Sequence, residues 1–120
     1  MKRVVMLIDP EPERRLATAE DLRGAGFIVT EAPDGVRALR RMGALLPHII
    51  VLEMEMPGMT GRDVLSELGK DPRLARIPVI ALTDTGARER PAGVRSILPE
   101  PHDPGQLVHD LREALKPRIR

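Results

Sequence analysis

Ile49-Ile50-Val51-Leu52-Glu53-Met54-Glu55-Met56-Pro57-Gly58-Met59-Thr60-Gly61 decides how this chain is read. Four apolar residues run without a break, a carboxylate follows, and then comes a loop of Met, Pro and Gly. A continuous apolar run of this length, rich in β-branched residues, fits a strand buried on both faces. Four further runs lie at Val4–Ile8, 27–29, 79–82 and 96–98. Between the runs the apolar spacing turns helical. Leu16, Ala19 and Leu22 mark a first helix, and Val36, Leu39, Met42 and Leu46 a second. Val64, Leu65 and Leu68 mark a third, and Leu107, Val108, Leu111 and Leu115 form the clearest stripe. Gly24 and Gly26 are expected to stop the first helix and Pro47 the second. Asp103, Pro104 and Gln106 give the last helix a capping residue, a first-turn proline and a capping-box spacing. Strands alternating with helices predict an α/β fold: a parallel sheet with helices on both faces.

The 120 residues suffice for one domain, read as 1–120, with one core. Phe27 is the only aromatic, so Leu, Val, Ile, Met and Ala must build the interior. With 19 basic and 18 acidic residues the net charge is +1, which argues against a nucleic-acid footprint or a polybasic membrane patch. Cysteine is absent, which excludes disulfides, thiolate metal sites and cysteine nucleophiles. The first apolar run ends at Asp9-Pro10, too short for a signal peptide or membrane span, so a cytoplasmic location is expected.

In open parallel sheets, ligands sit beyond the carboxyl ends of the strands. Those ends carry Asp9-Pro10-Glu11, Glu53, Thr83-Asp84 and Glu100-Pro101. Topology alone therefore brings several carboxylates and a hydroxyl to one rim.

From Glu53 to Gly61, and again in Ile77-Pro78-Val79-Ile80-Ala81-Leu82-Thr83 and Pro99-Glu100-Pro101, the chain resembles the receiver domain of two-component response regulators. The likeness covers roughly residues 2 to 116. It implies a flavodoxin-like, doubly wound five-stranded sheet of order 2-1-3-4-5. It also implies phosphoryl transfer from a partner histidine kinase to an Asp. Two acids after the first strand and the acceptor would hold Mg²⁺, a Thr or Ser after the fourth strand would bond the phosphoryl oxygens, and a Lys after the fifth would pair with the acceptor.

The chain departs from that pattern at most of these positions. Asp9 matches the first acid, but Pro10 stands at the second with no side-chain oxygen. Glu53 occupies the acceptor position with one methylene more than Asp, and Glu100 reverses the charge of the lysine. Thr83 matches the hydroxyl, and Ile97 falls where an aromatic switch residue often sits. In-line phosphoryl transfer depends on positioning and charge neutralisation, and each departure damages one or both. From Thr83 to Glu100 is 17 positions, fewer than receivers usually have, so a short or irregular fourth helix is expected over 86–93.

These departures favour a phosphorylation-independent pseudo-receiver. It would bind a protein partner, or a second copy, through the fourth-helix, fifth-strand and fifth-helix face. It would need no cofactor and would not be an enzyme. A receiver with unorthodox ligands drawn from Asp84 or Glu11 is the first rival, and a small-ligand-binding flavodoxin-like domain the second; an apolar pocket at the rim would strengthen the latter. Glu53 as a built-in phosphate mimic, or a residual divalent cation on Asp9, Glu53 and a loop carbonyl, ranks below the plainer expectation. In that expectation Glu11 and Glu100 turn to solvent, or Arg88 or Arg90 fills the gap. Arg14-Arg15 and Arg40-Arg41 read as solvated helix surface, and Met54, Met56 and Met59 as gap-filling. His48 falls at the remote end of the sheet, and His102 and His109 receive no role.

Overall fold

The computed structural model describes residues 1–86 and 89–117. Its elements in chain order are β1 (Val4–Ile8), α1 (Pro12–Gly24), β2 (Ile28–Ala32), α2 (Gly35–Ala44), β3 (Ile49–Glu53), α3 (Gly61–Gly69), α4 (Pro72–Ala75), β4 (Val79–Thr83), β5 (Val94–Pro99) and α5 (Pro104–Leu115). The strands pair in parallel in the order β2-β1-β3-β4-β5. This is the expected doubly wound sheet.

The unbroken apolar runs are explained by two cores, one on each face of the sheet. Ile49 and Val51 of β3 pack with Ala19 and Leu22 of α1 and with Leu107 and Leu111 of α5. Ile50 and Leu52 pack on the other side with Ala38 and Met42 of α2 and with Val64 and Leu68 of α3. A central strand therefore needs an apolar side chain at every position, because neither face meets water. At the remote end, His48 accepts the Val4 amide through Nδ1 at 2.9 Å and ties the starts of β1 and β3.

In the two expected stripes of α1 and α2, Ala19, Leu22 and Met42 are buried, but other members are not. Leu16 is 51% exposed and Val36 is 54% exposed. The buried face of α1 is Thr18, Ala19 and Leu22, and that of α2 is Gly35, Ala38 and Met42. On α1, Arg15 lies in register with this face, three and four residues before Thr18 and Ala19, while Leu16 is turned about 100° away. The second helix ends at Ala44, with Leu45 already extended, so Pro47 lies beyond the stop. Asp103 caps α5 as expected, but onto the Gly105 amide. Gln106 does not complete a capping box; its side-chain amide donates to Asp110 at 2.8 Å.

Between β4 and β5 the described residues are irregular; part of the segment read as a short or irregular fourth helix, residues 87 and 88, lies outside the described residues. Among its described residues there are turns and bends and no helix. The label α4 belongs instead to a single turn between α3 and β4, with Leu74 packed under it. No helix among the described residues is long and apolar enough to cross a membrane.

Candidate functional site

Asp9 leaves the end of β1 with 1% of its surface exposed. Burying a carboxylate is costly unless it is paired and hydrogen-bonded, and Asp9 is both. Arg14, in the first turn of α1, grips it with two parallel bonds: Nε to Oδ2 at 2.7 Å and Nη2 to Oδ1 at 2.7 Å. The Glu11 amide adds a third bond to Oδ1 at 2.9 Å. The hydrogen bonds that Arg14 donates to Asp9 raise its pKa further, so the guanidinium stays charged. Arg15 closes the other side, donating to the Asp9 carbonyl at 2.8 Å and pairing with Glu31 at 3.3 Å. Glu11 stays on its own helix, capping the amides of Glu13 and Arg14.

The same guanidinium reaches the neighbouring strand end. Arg14 Nη2 lies 3.7 Å from Glu53 Oε2. Glu53 is 2% exposed, and Oε2 has no hydrogen-bond partner. Its other oxygen accepts the Glu55 amide at 3.3 Å. Burial pushes the Glu53 pKa up to about 8, against the lowering pull of the Glu55 amide and of Arg14. At neutral pH, with no metal cation beside it, this carboxyl therefore favours its protonated form.

Thr83, at the end of β4, is 3% exposed. Its hydroxyl lies 2.8 and 2.9 Å from the two carboxylate oxygens of Glu55. Glu100, at the end of β5, does not turn to solvent: its side chain is 8% exposed and pairs with His102 Nδ1 at 3.4 Å. The Glu100–Pro101 peptide is cis. The Glu100 charge bears on both Arg14 and Glu53, so Asp9, Glu53, Glu100 and Arg14 form one electrostatic group. Asp84 is exposed and stands outside it.

Ile97 is partly buried and lines a cleft of about 620 Å³ with Met54, Met56, Pro57 and Pro91. Thr83, Glu55 and Arg62 contribute polar groups to the same cleft. It opens where the chain between β4 and β5 supplies no helix among its described residues. Met54 and Met59 pack against the core and Met56 is 7% exposed, in keeping with their gap-filling role.

The reading of Arg14-Arg15 as solvated surface is therefore wrong, whereas Arg40 and Arg41 are exposed as expected. The cation that fills the gap is Arg14. Arg88 lies outside the described residues, and Arg90 donates to the Arg95 carbonyl at 2.5 Å. His102 also has a partner where none was assigned. A signal for Arg14 was present: a cation in the first turn of a helix opposes the macrodipole, so it needs a compensating anion nearby. Glu55 carried no such signal, because its partner lies 28 residues away.

A magnesium ion does not fit this donor set. Pro10 offers no side-chain oxygen, and both carboxylate oxygens of Asp9 are already bonded by Arg14. A hard cation needs several free oxygen ligands at once.

The chain matches the response regulator receiver domain model over residues 5–112 and belongs to that family. It is therefore a receiver domain of two-component signalling. An uncharacterized 14.6 kDa protein of Leptolyngbya boryana is 32% identical over 109 residues, with 87% of this chain and 83% of that protein covered. The DNA-binding response regulator MtrA of Mycolicibacterium smegmatis is 29% identical over 118 residues; 97% of this chain is covered but only 52% of that regulator. The receiver domain of the sensor histidine kinase PA1611 of Pseudomonas aeruginosa PAO1, solved with magnesium in its active-site cleft, superposes with a TM-score of 0.88. That match has 22% identity and covers 96% of this chain and 98% of the other, a likeness of fold alone.

Proposed function

We propose that this receiver signals without accepting a phosphoryl group and serves as a protein–protein interaction module. The observation that carries the reading is the Arg14 guanidinium, which bonds both oxygens of Asp9 and lies 3.7 Å from Glu53. A fixed cation stands where a receiver's metal would have to bridge an acid and an acceptor. Glu53, Pro10 and Glu100 are then relics of the acceptor, metal and lysine positions, and Thr83 is a hydroxyl retained without a phosphoryl to bind. Protonation of Glu53 near neutrality supports the same reading. The rival with unorthodox ligands loses support, since Glu11 caps its own helix and Asp84 faces water. Contact with a partner falls on the edge strand β5, the segment before it and α5, and the cytoplasm is the compartment this role requires. Intact-mass measurement after incubation with acetyl phosphate and Mg²⁺ tests the proposal. The unmodified mass is expected; a stable adduct on any carboxylate would overturn it.

The apolar cleft beside Ile97 favours a second reading, in which a small amphipathic ligand binds at the rim. Saturable one-to-one binding of anilinonaphthalene sulfonate, lost in Ile97→Glu, would support it. Unsaturable binding would remove it.

A further inference from the structure

Glu55 lies two residues past the end of β3, yet its side chain crosses to the end of β4. There the Thr83 hydroxyl meets both carboxylate oxygens, at 2.8 and 2.9 Å, and the Asp84 amide donates to Oε1 at 2.8 Å. The hydroxyl also lies 3.3 Å from the Thr85 amide, which donates to it, and 3.0 Å from the Thr85 hydroxyl. With the Thr85 amide, and the Thr85 hydroxyl as donor, on its two lone pairs, the single Thr83 proton is left for the carboxylate, the charged acceptor beside it. Two donors from one turn thus converge on one anion, in charge-assisted bonds of the stronger kind. Packing does not force Glu55 into this position, because the residue as a whole is exposed. What holds it is the donor pair.

The surroundings restrict the occupant. Glu100 lies at the end of the neighbouring strand β5, and Glu89 lines the adjoining cleft, with Arg62 as the basic residue on that wall. Asp9 is paired by Arg14 and Glu53 favours its protonated form, so the negative charge left near the site is that of Glu100 and Glu89. A multiply charged oxyanion meets more repulsion here than a carboxylate does. A tethered carboxylate also acts at a high effective concentration, so even a weak site stays filled.

We propose that Thr83 Oγ1 and the Asp84 N–H form a carboxylate-binding site, filled in cis by Glu55. The end of β4 is thereby held in a ligand-bound arrangement by the chain's own side chain. This inference rests on the phosphate-independent reading and deepens it: the retained hydroxyl has an internal ligand in place of a phosphoryl group.

The test follows the Asp84 backbone amide by ¹H–¹⁵N correlation spectroscopy in the full chain. In Glu55→Ala the Asp84 peak is expected to move upfield. Sodium acetate should return it, saturably, toward its original position, while sodium chloride at equal ionic strength should not. Thr83→Val in the same background should abolish the return. An Asp84 peak unmoved by Glu55→Ala, or one that ignores acetate, overturns the proposal. A stronger response to inorganic phosphate than to acetate overturns the carboxylate preference. A phospho-adduct on the parent chain would sink the phosphate-independent reading while leaving the Asp84 response as it is, so the two failures are distinguishable.

Discussion

Arg14 concentrates the chemistry of this site in one side chain. Its two bonds to Asp9 satisfy a carboxylate that is 1% exposed. Arg14→Met should lower the unfolding free energy by about 2 kcal/mol in urea titration. That is below the full cost of breaking a buried pair, because about a third of the arginine side chain faces water. Arg14→Lys should recover only part of the loss, since an ammonium cannot make the paired bonds of a guanidinium. Glu53 sets a pH dependence. Its folded pKa of about 8 lies above the ordinary 4.5, so between those values the folded chain holds a proton that the unfolded chain releases. Stability from this group therefore falls as pH rises from about 4.5 to about 8 and is flat beyond. Glu53→Gln should remove the slope. The stability difference between variant and parent, followed by denaturant titration across pH, should grow in favour of the variant up to about pH 8 and then level.

At the scale of elements, α3 shows how the loop after β3 is fixed. Thr60 and Asp63 form a reciprocal capping box, with bonds of 2.9 and 3.2 Å. Gly61 starts the helix so close to β3 that a Cβ there would stand 2.7 Å from the Met54 Cα. At the other end of the helix, a Cβ on Gly69 would meet nothing within 4 Å. The same substitution should thus act with opposite signs. Gly61→Ala should destabilise by about 1–3 kcal/mol, since backbone must shift to relieve the overlap. Gly69→Ala should stabilise by roughly 0.5–1 kcal/mol through lower chain entropy. Thermal unfolding of the two variants beside the parent decides it. The Asp103 cap, the strand runs and the α5 stripe were legible from local sequence, whereas the Gln106 capping box did not form and the Thr60–Asp63 box formed where none was expected. The faces of α1 and α2 were legible in part: Ala19, Leu22 and Met42 are buried as expected, but Leu16 and Val36 lie one position off the covered line, and only the sheet decides which of two adjacent lines is covered.

On the scale of the whole molecule, the scaffold is intact and its charge arrangement is altered. On the phosphate-independent reading proposed above, rebuilding the rim alone should establish phosphoryl uptake. The combined variant Pro10→Asp, Arg14→Ala, Glu53→Asp, Glu55→Ala and Glu100→Lys supplies the second acid, the acceptor Asp and the lysine, and clears both Arg14 and Glu55 from the rim. It is expected to bind Mg²⁺ and to take up a phosphoryl group from acetyl phosphate, seen as a labile adduct by intact mass, where the parent stays unmodified. The same variant with Glu53 retained should fail, because the longer arm misplaces the nucleophile.

The presence of five strands, four of the helices and the strand-end residues Asp9, Glu53, Thr83 and Glu100 was determined by the sequence alone, because burial of the central strands on two faces writes itself as unbroken apolar runs; the bounds of the edge strands and the turn at Pro72–Ala75 were not. The departures at Pro10, Glu53 and Glu100 were equally plain, since they are identities at positions. What neutralises the rim was decided by the tertiary structure. Arg14 meets Glu53, and Glu55 meets Thr83, across strands that the chain brings together only after folding. An ion pair depends on a distance of a few ångströms between side chains that are remote in sequence, and no local pattern encodes that distance.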